Sequence, residues 1–157
     1  MKELILLRHA KSSWESPLSD IDRPLMPKGI DRMSAMTRSS ISLFESVDEV
    51  YSSPANRALH TAVLVLRNAK LPLDILKVDQ RLYTFDAEDV ISYIGSLDFV
   101  GKRIVLVGHN PAFTIVANQL GNKNISHLST AAWAHLTWEN EEDLEVKTVL
   151  GDPKMIL

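Results

Sequence analysis

Leu4-Ile5-Leu6-Leu7-Arg8-His9-Ala10 decides how this chain folds. Its four apolar residues run on without alternation, the pattern of a strand covered by helices on both faces rather than one half-open to water. A second stretch repeats the form: Arg103 to Val107 is rich in β-branched residues and ends in Gly108-His109-Asn110-Pro111. In an open parallel α/β sheet both histidines arrive at the carboxyl edge of the strands, where such folds bind ligands. The expected fold class is α/β: one domain over residues 1–157, a three-layer sandwich whose mostly parallel sheet is flanked by helices.

Working outward, Ala10 to Pro27 holds Pro17, Pro24 and Pro27 among polar residues and reads as a long ordered loop, a length that usually serves function. Pro27 and Gly29 open a helix to about Phe44, with Ile30, Met33, Met36 and Ile41 toward the core. Glu49 to Ser52 is the next strand, followed by a helix over Ala55 to Asn68 facing inward through Leu59, Val63 and Leu66. Leu73 to Val78 reads as a third strand, and Asp86 or Ala87 begins a helix to Leu97. After the Arg103 strand, Pro111 starts a helix that stops at Gly121. Ala131 to Trp138 and Leu144 to Leu150 form an antiparallel pair turned at Glu139 to Asp143, completing one sheet edge.

Composition narrows the function classes. The chain has 157 residues, a formal net charge of -3 and no cysteine. No Lys/Arg-rich run reverses that charge locally, so nucleic acid is not an expected partner. Without cysteine there are no disulfides, no thiolate metal sites and no cysteine nucleophile, which leaves histidine as the natural covalent candidate. Leu4 to Leu7 is too short for a signal sequence, and no stretch approaches the ~20 apolar residues of a membrane span. A cytoplasmic monomer with no membrane partner is the expectation. His127 and His135 lack the spacing of a metal pair and no Gly-x-x-x-x-Gly-Lys-Ser/Thr loop is present, so neither metal nor cofactor is expected.

The chemistry rests on three places. Arg8-His9 ends the first strand. Arg57, in Ser53-Pro54-Ala55-Asn56-Arg57, falls in the first turn of a helix, where backbone N–H groups and the guanidinium both favour an anion. Gly108-His109-Asn110-Pro111 brings an imidazole and a helix start together. Arginine offers a planar charged fork for phosphate oxygens, and a neutral imidazole nitrogen can attack phosphorus. Nearby arginines disfavour imidazolium, so His9 should titrate below the ordinary ~6.5. Taken singly, each feature is a satisfied strand-end histidine or a solvated arginine. Taken together, they point to phosphoryl chemistry without a metal. His60 is expected to pack, Trp133 and Trp138 to line the sheet, and Trp14 to anchor the long loop or border a substrate mouth, the anchor being the weightier reading.

The order Leu6-Leu7-Arg8-His9-Ala10-Lys11-Ser12, Asp22-Arg23-Pro24-Leu25 with Lys28-Gly29, Ser53-Pro54 with Arg57-Ala58 and Thr61-Ala62, and Val107-Gly108-His109-Asn110-Pro111 resembles the histidine phosphatase superfamily, in particular its SixA-type phosphohistidine phosphatase branch. The resemblance implies a phosphoglycerate mutase-like fold and metal-independent hydrolysis through a covalent phosphohistidine. It implies that His9 is the nucleophile, that Arg8, Arg57 and His109 form the phosphate pocket, and that Arg23 and Asn110 bind substrate. Ala10 stands where the commonest superfamily motif has glycine, a variation also seen in the small branch. The implied substrate is a phosphorylated protein, such as a histidine-containing phosphotransfer domain. A small phosphomonoester is the alternative, and a phosphate-binding module without turnover is the rival of another class. Asp86 and Glu88 are the general-acid candidates, with a helix cap or dipole partner as the weightier reading of both. A site without a dedicated acid suits phosphohistidine, because a protonated phosphoramidate releases neutral imidazole readily.

Overall fold

In the computed structural model, described at residues 1–15, 17–140, 142 and 146–156 (backbone only at 155 and 156), the first apolar run forms β1, Lys2–Arg8. Its alternate side chains enter opposite cores. Ile5 and Leu7 pack on one face of the sheet and Leu4 and Leu6 on the other, all four fully buried. Each such burial is worth about 1.5–3 kcal/mol, so the run is held on both sides at once. This is the physical reason it does not alternate.

The remaining strands are β2 (Glu49–Ser52), β3 (Leu76–Val78), β4 (Arg103–Gly108), β5 (Trp133–Trp138) and β6 (Lys147–Gly151). They lie in the order β3-β2-β4-β1-β5-β6. The first four are mutually parallel, while β5 runs antiparallel to β1 and β6 antiparallel to β5. The helices are α1 (Pro27–Ser39), α2 (Ile41–Phe44), α3 (Asn56–Asn68), α4 (Ala87–Gly95), α5 (Ala112–Leu120) and α6 (Pro153–Ile156). The buried side chains of α1 and α3 join the Ile5 face, and those of α4 and α5 join the Leu4 face, which completes the three layers. Because β4 inserts between β2 and β1, the carboxyl ends of three neighbouring parallel strands open side by side.

Several sequence expectations need correction in detail. The helix expected to run from Pro27 to Phe44 breaks at Ser40, whose backbone leaves helical geometry and whose hydroxyl accepts from Trp133 Nε1. Residues 73–75 form a 3-10 turn, so only Leu76–Val78 pairs with β2. The helix from Ala87 ends at Gly95 rather than Leu97. In α3 Leu66 is fully buried as expected, together with Ala58, Thr61, Ala62 and Val65, while Leu59 and Val63 are only half-buried. Small side chains there let the helix sit close to the sheet. The β5–β6 pair forms as expected, although residues 141 and 143–145 of its connection, including Leu144 at the expected start of the second strand, lie outside the described residues.

The two ends of the long loop after β1 are tied together by their own backbone. Ser13 N donates to Pro24 O at 2.8 Å and Met26 N to Lys11 O at 2.9 Å, with an isolated bridge between Ser12 and Leu25. The loop thus folds back over the strand ends.

Candidate active site

β1, β2 and β4 each deliver one part of a single cavity. His9 follows β1, Ser53 and Arg57 follow β2, and His109 follows β4. The cavity holds about 360 Å³ and is lined by Arg8, His9, Arg23, Arg57 and His109 together with Lys11, Ser12, Trp14, Asp20, Phe85, Asn110 and Thr130. Each of Arg8, His9, Arg23, Arg57, His109 and Asn110, singled out in the sequence, is therefore at this site.

His9 is held in one tautomer. Its Nδ1 lies 2.7 Å from the carbonyl oxygen of Ala10, which can only accept, so Nδ1 carries the proton and Nε2 is unprotonated. Ala10 is fixed in turn, its N–H donating to Thr61 Oγ1 at 2.9 Å. Burial is the main force drawing His9 down from 6.5 to about 4. The hydrogen bond to Ala10 opposes this, and the charges of Arg57, Arg8 and Arg23 add to it. The arginines thus act in the expected direction, but loss of water is the larger cause.

Arg57 organises the floor. It is 2% exposed and donates from Nε to His9 Nε2 at 3.3 Å, while its NH2 group lies 3.4 Å from His109 Nδ1. Its NH1 and NH2 groups donate to the backbone oxygen and the Oδ2 of Asp20, at 2.6 and 3.0 Å. The end of the guanidinium is clamped by Asp20, and the Nε–NH2 edge faces the two histidines. That edge is the one that grips an oxyanion in two places.

His109, 1% exposed, completes the floor. Since Arg57 only donates, His109 Nδ1 accepts and Nε2 donates to Ser53 Oγ at 2.8 Å. Burial, then His9, then Arg57 hold it at about 3. Both imidazoles are therefore neutral at neutral pH. The glycine before His109 has a packing role: a Cβ on Gly108 would lie 2.6 Å from the Phe113 ring.

Arg8 donates through NH1 to Leu128 O at 3.0 Å and to His127 Nε2 at 3.2 Å. Its Nε is buried with no hydrogen-bond partner among the described residues, a donor that the protein leaves unsatisfied. Arg23 donates to Ser13 O, to Ser12 Oγ and to Asp20 Oδ1. Asn110 works at one remove, linking Leu128 O to Thr114 through its amide.

Asp86 and Glu88 are absent from this lining. Both are exposed at the start of α4, where the Asp86 carboxylate accepts from Glu88 N at 2.9 Å; the cap explains Asp86. Sequence reasoning missed Asp20, which joins Arg57 to Arg23 and accepts from Tyr83 OH at 2.6 Å. Burial pushes the Asp20 carboxyl up, but the hydrogen bonds from Tyr83 and Arg57 and the Arg57 charge outweigh this and hold it at about 2. Its position three residues before Arg23 was the available signal. Among the described residues no group of three or more His, Cys, Asp or Glu side chains could hold a metal ion, and no helix is long and apolar enough to cross a membrane.

Three arginines around two neutral histidines at parallel strand ends define a phosphoryl-handling α/β protein. The model of the histidine phosphatase superfamily (branch 1) matches residues 4–82, about half of the chain and the part bearing Arg8, His9, Arg23 and Arg57. The chain belongs to that superfamily and is a phosphatase. An uncharacterised protein of Mycobacterium tuberculosis is 31% identical over 111 residues, which cover 71% of this chain and 67% of the relative. Among solved structures, the fold matches the protein histidine phosphatase SixA complexed with tungstate, with a TM-score of 0.83, 22% identity and 99% of each chain covered. It also matches mycobacterial glucosyl-3-phosphoglycerate phosphatase, with a TM-score of 0.64, 17% identity and 96% of this chain and 97% of that one covered.

Proposed function

We propose that this phosphatase removes the phosphoryl group from phosphohistidine on a protein, by way of a covalent intermediate on His9. The unprotonated pair on Nε2, fixed by the Nδ1 bond to Ala10 and held by Arg57 Nε at 3.3 Å until substrate enters, is the observation that carries the reading. Nε2 forms a bond to phosphorus as the bond to the leaving nitrogen breaks and its electron pair departs with the leaving imidazole, which is released neutral when already protonated. Arg57, Arg8 and Arg23 face the equatorial oxygens, where charge concentrates in the transfer. Water then attacks the phosphorus of phospho-His9, inorganic phosphate leaves, and the pair returns to Nε2.

The leaving group supports the substrate class. Among the described residues Asp20 is the only carboxylate lining the cavity, and its hydrogen bonds keep it ionised. An alkoxide leaving from an ester needs a proton, whereas a protonated phosphoramidate does not. A small phosphomonoester remains the competing substrate, since the cavity volume also admits a small ligand.

Rapid quenching with a radiolabelled phosphohistidine protein should trap label on the enzyme that survives alkali and is lost in acid. His9→Gln should abolish both label and turnover; turnover that persists would remove His9 as nucleophile. Across a substrate panel, kcat/KM should be highest for phosphohistidine, and a sugar phosphate or phosphoserine ranking above it would overturn the substrate assignment.

A further inference from the structure

We propose that Trp14 and Phe85 form a subsite for a flat π-faced ring bonded directly to the phosphorus, so that the enzyme selects the leaving group by its shape as well as by its acidity. The inference rests on the reading of the cavity as a phosphoryl site and deepens it.

Direction comes first. In a displacement at phosphorus the attacking and leaving atoms lie roughly in line, so a group leaving from opposite His9 Nε2 departs away from the floor. The floor is His9, Arg57 and His109, all nearly buried. The open side of the same cavity is lined by Lys11, Trp14 and Phe85, all exposed. A leaving group passes these residues on its way out.

Two of the three are aromatic. Trp14 is 76% exposed, and its ring lies on the Arg23 guanidinium, whose carbon is 3.2 Å from the ring centroid. Phe85 is 49% exposed, with its centroid 5.4 Å from that of His109 and 5.9 Å from that of Tyr83. A lone exposed aromatic needs no explanation. Two of them in one cavity, each fixed to a residue of the oxyanion machinery and neither in the core, are different. Their anchors set the rings beside the phosphoryl position and leave apolar area facing the space a substrate enters. Rings stack or meet edge to face across 4.5–7 Å, and a flat imidazole or phenyl group has the face for this. An alkyl chain has none.

Phosphonates test the subsite without turnover. Phenylphosphonate and ethylphosphonate carry the same oxyanion on a ring and on a chain, and competition with tungstate reads both dissociation constants. Wild-type protein should bind phenylphosphonate about 10-fold more tightly than ethylphosphonate, and Trp14→Ala or Phe85→Leu should reduce that ratio about 3-fold or more. Trp14→Phe should restore most of it. Because the readout is a ratio, any general change in oxyanion grip cancels. Equal constants in wild type, or a ratio that neither Trp14→Ala nor Phe85→Leu moves, would overturn the subsite even with tungstate bound normally. Failure of wild type to bind tungstate at all would instead overturn the phosphoryl-site reading beneath it. Turnover of phosphoimidazole should exceed that of phenyl phosphate, in which an oxygen separates the ring from phosphorus, and preference for phenyl or ethyl phosphate over phosphoimidazole would reject a subsite for a directly bonded ring.

Discussion

At the scale of single residues, the site works by keeping two imidazoles uncharged beside three permanent cations. Burial is the largest cause at both His9 and His109, and Arg57 lies between their cavity-facing nitrogens. An entering oxyanion reverses part of that balance, because a negative charge within a few ångströms favours the protonated form of a histidine. His109 presents Nδ1 to the cavity, so protonating that atom adds a donor toward the anion. Tungstate binding should therefore take up protons near pH 6, and the affinity should weaken as pH rises. Calorimetry in buffers of different ionisation enthalpy measures the uptake; proton release on binding would contradict the argument. Arg57 offers a second test. Arg57→Lys keeps a charge but loses the Nε–NH2 edge, and kcat/KM should fall about 10²–10³-fold, the usual cost of one preorganised donor to a transition-state charge. A loss below 10-fold would mean that charge alone suffices.

At the scale of elements, the groups that line the cavity are aligned by helices and loops that touch the ends of β1 and β4. Gly29, in the first turn of α1, shows how tight this contact is: a Cβ there would lie 2.3 Å from the Lys11 carbonyl oxygen, two residues beyond His9. Alanine favours a helix over glycine by roughly 1 kcal/mol, yet the clash is with backbone and cannot be relieved by a rotamer change. Gly29→Ala should therefore destabilise the fold by about 1–3 kcal/mol net and weaken tungstate binding together with it. Urea unfolding and the tungstate affinity check both, and a more stable variant would show that propensity wins. The elements that aim the site were legible because local signals agree with burial. The Leu4 to Leu7 run, the β-branched residues before Gly108, and Arg57 in a first helical turn each carry a periodicity or a start signal within a few residues. Ser39-Ser40 weakens the end of the first helix in the sequence, but the break itself and the turn over residues 73–75 were not legible. Ser40 is set by Trp133, 93 positions away, and β3 is a short edge strand whose length is fixed by pairing with β2. The same reason hid Asp20, Tyr83 and Phe85 from a reading by spacing. Each acquires its place through a partner on another element.

For the whole molecule, a chain of net charge -3 concentrates Arg8, Arg23 and Arg57 around one cavity, against which Asp20 is the lining carboxylate among the described residues. Such a site stores sensitivity to acid in its neutral histidines. In the unfolded chain His9 and His109 take up protons near their ordinary pKa of about 6.5. In the folded protein they resist until about 4 and about 3. Between pH 6.5 and 4 the unfolded state therefore binds more protons, so stability falls as pH is lowered through that window and is recovered above it. Each histidine contributes a slope of up to about 1.4 kcal/mol per pH unit. Carboxylates that lose partners in acid add to the slope near its lower end, which makes the difference between proteins the proper readout. Urea-unfolding free energies measured from pH 7 to pH 4.5 should decline in wild type. They should decline less steeply in His9→Gln, and less steeply again when His109→Asn is added, whatever the stability of each variant at pH 7. Parallel slopes in all three would show that the two imidazoles are not held neutral by the fold.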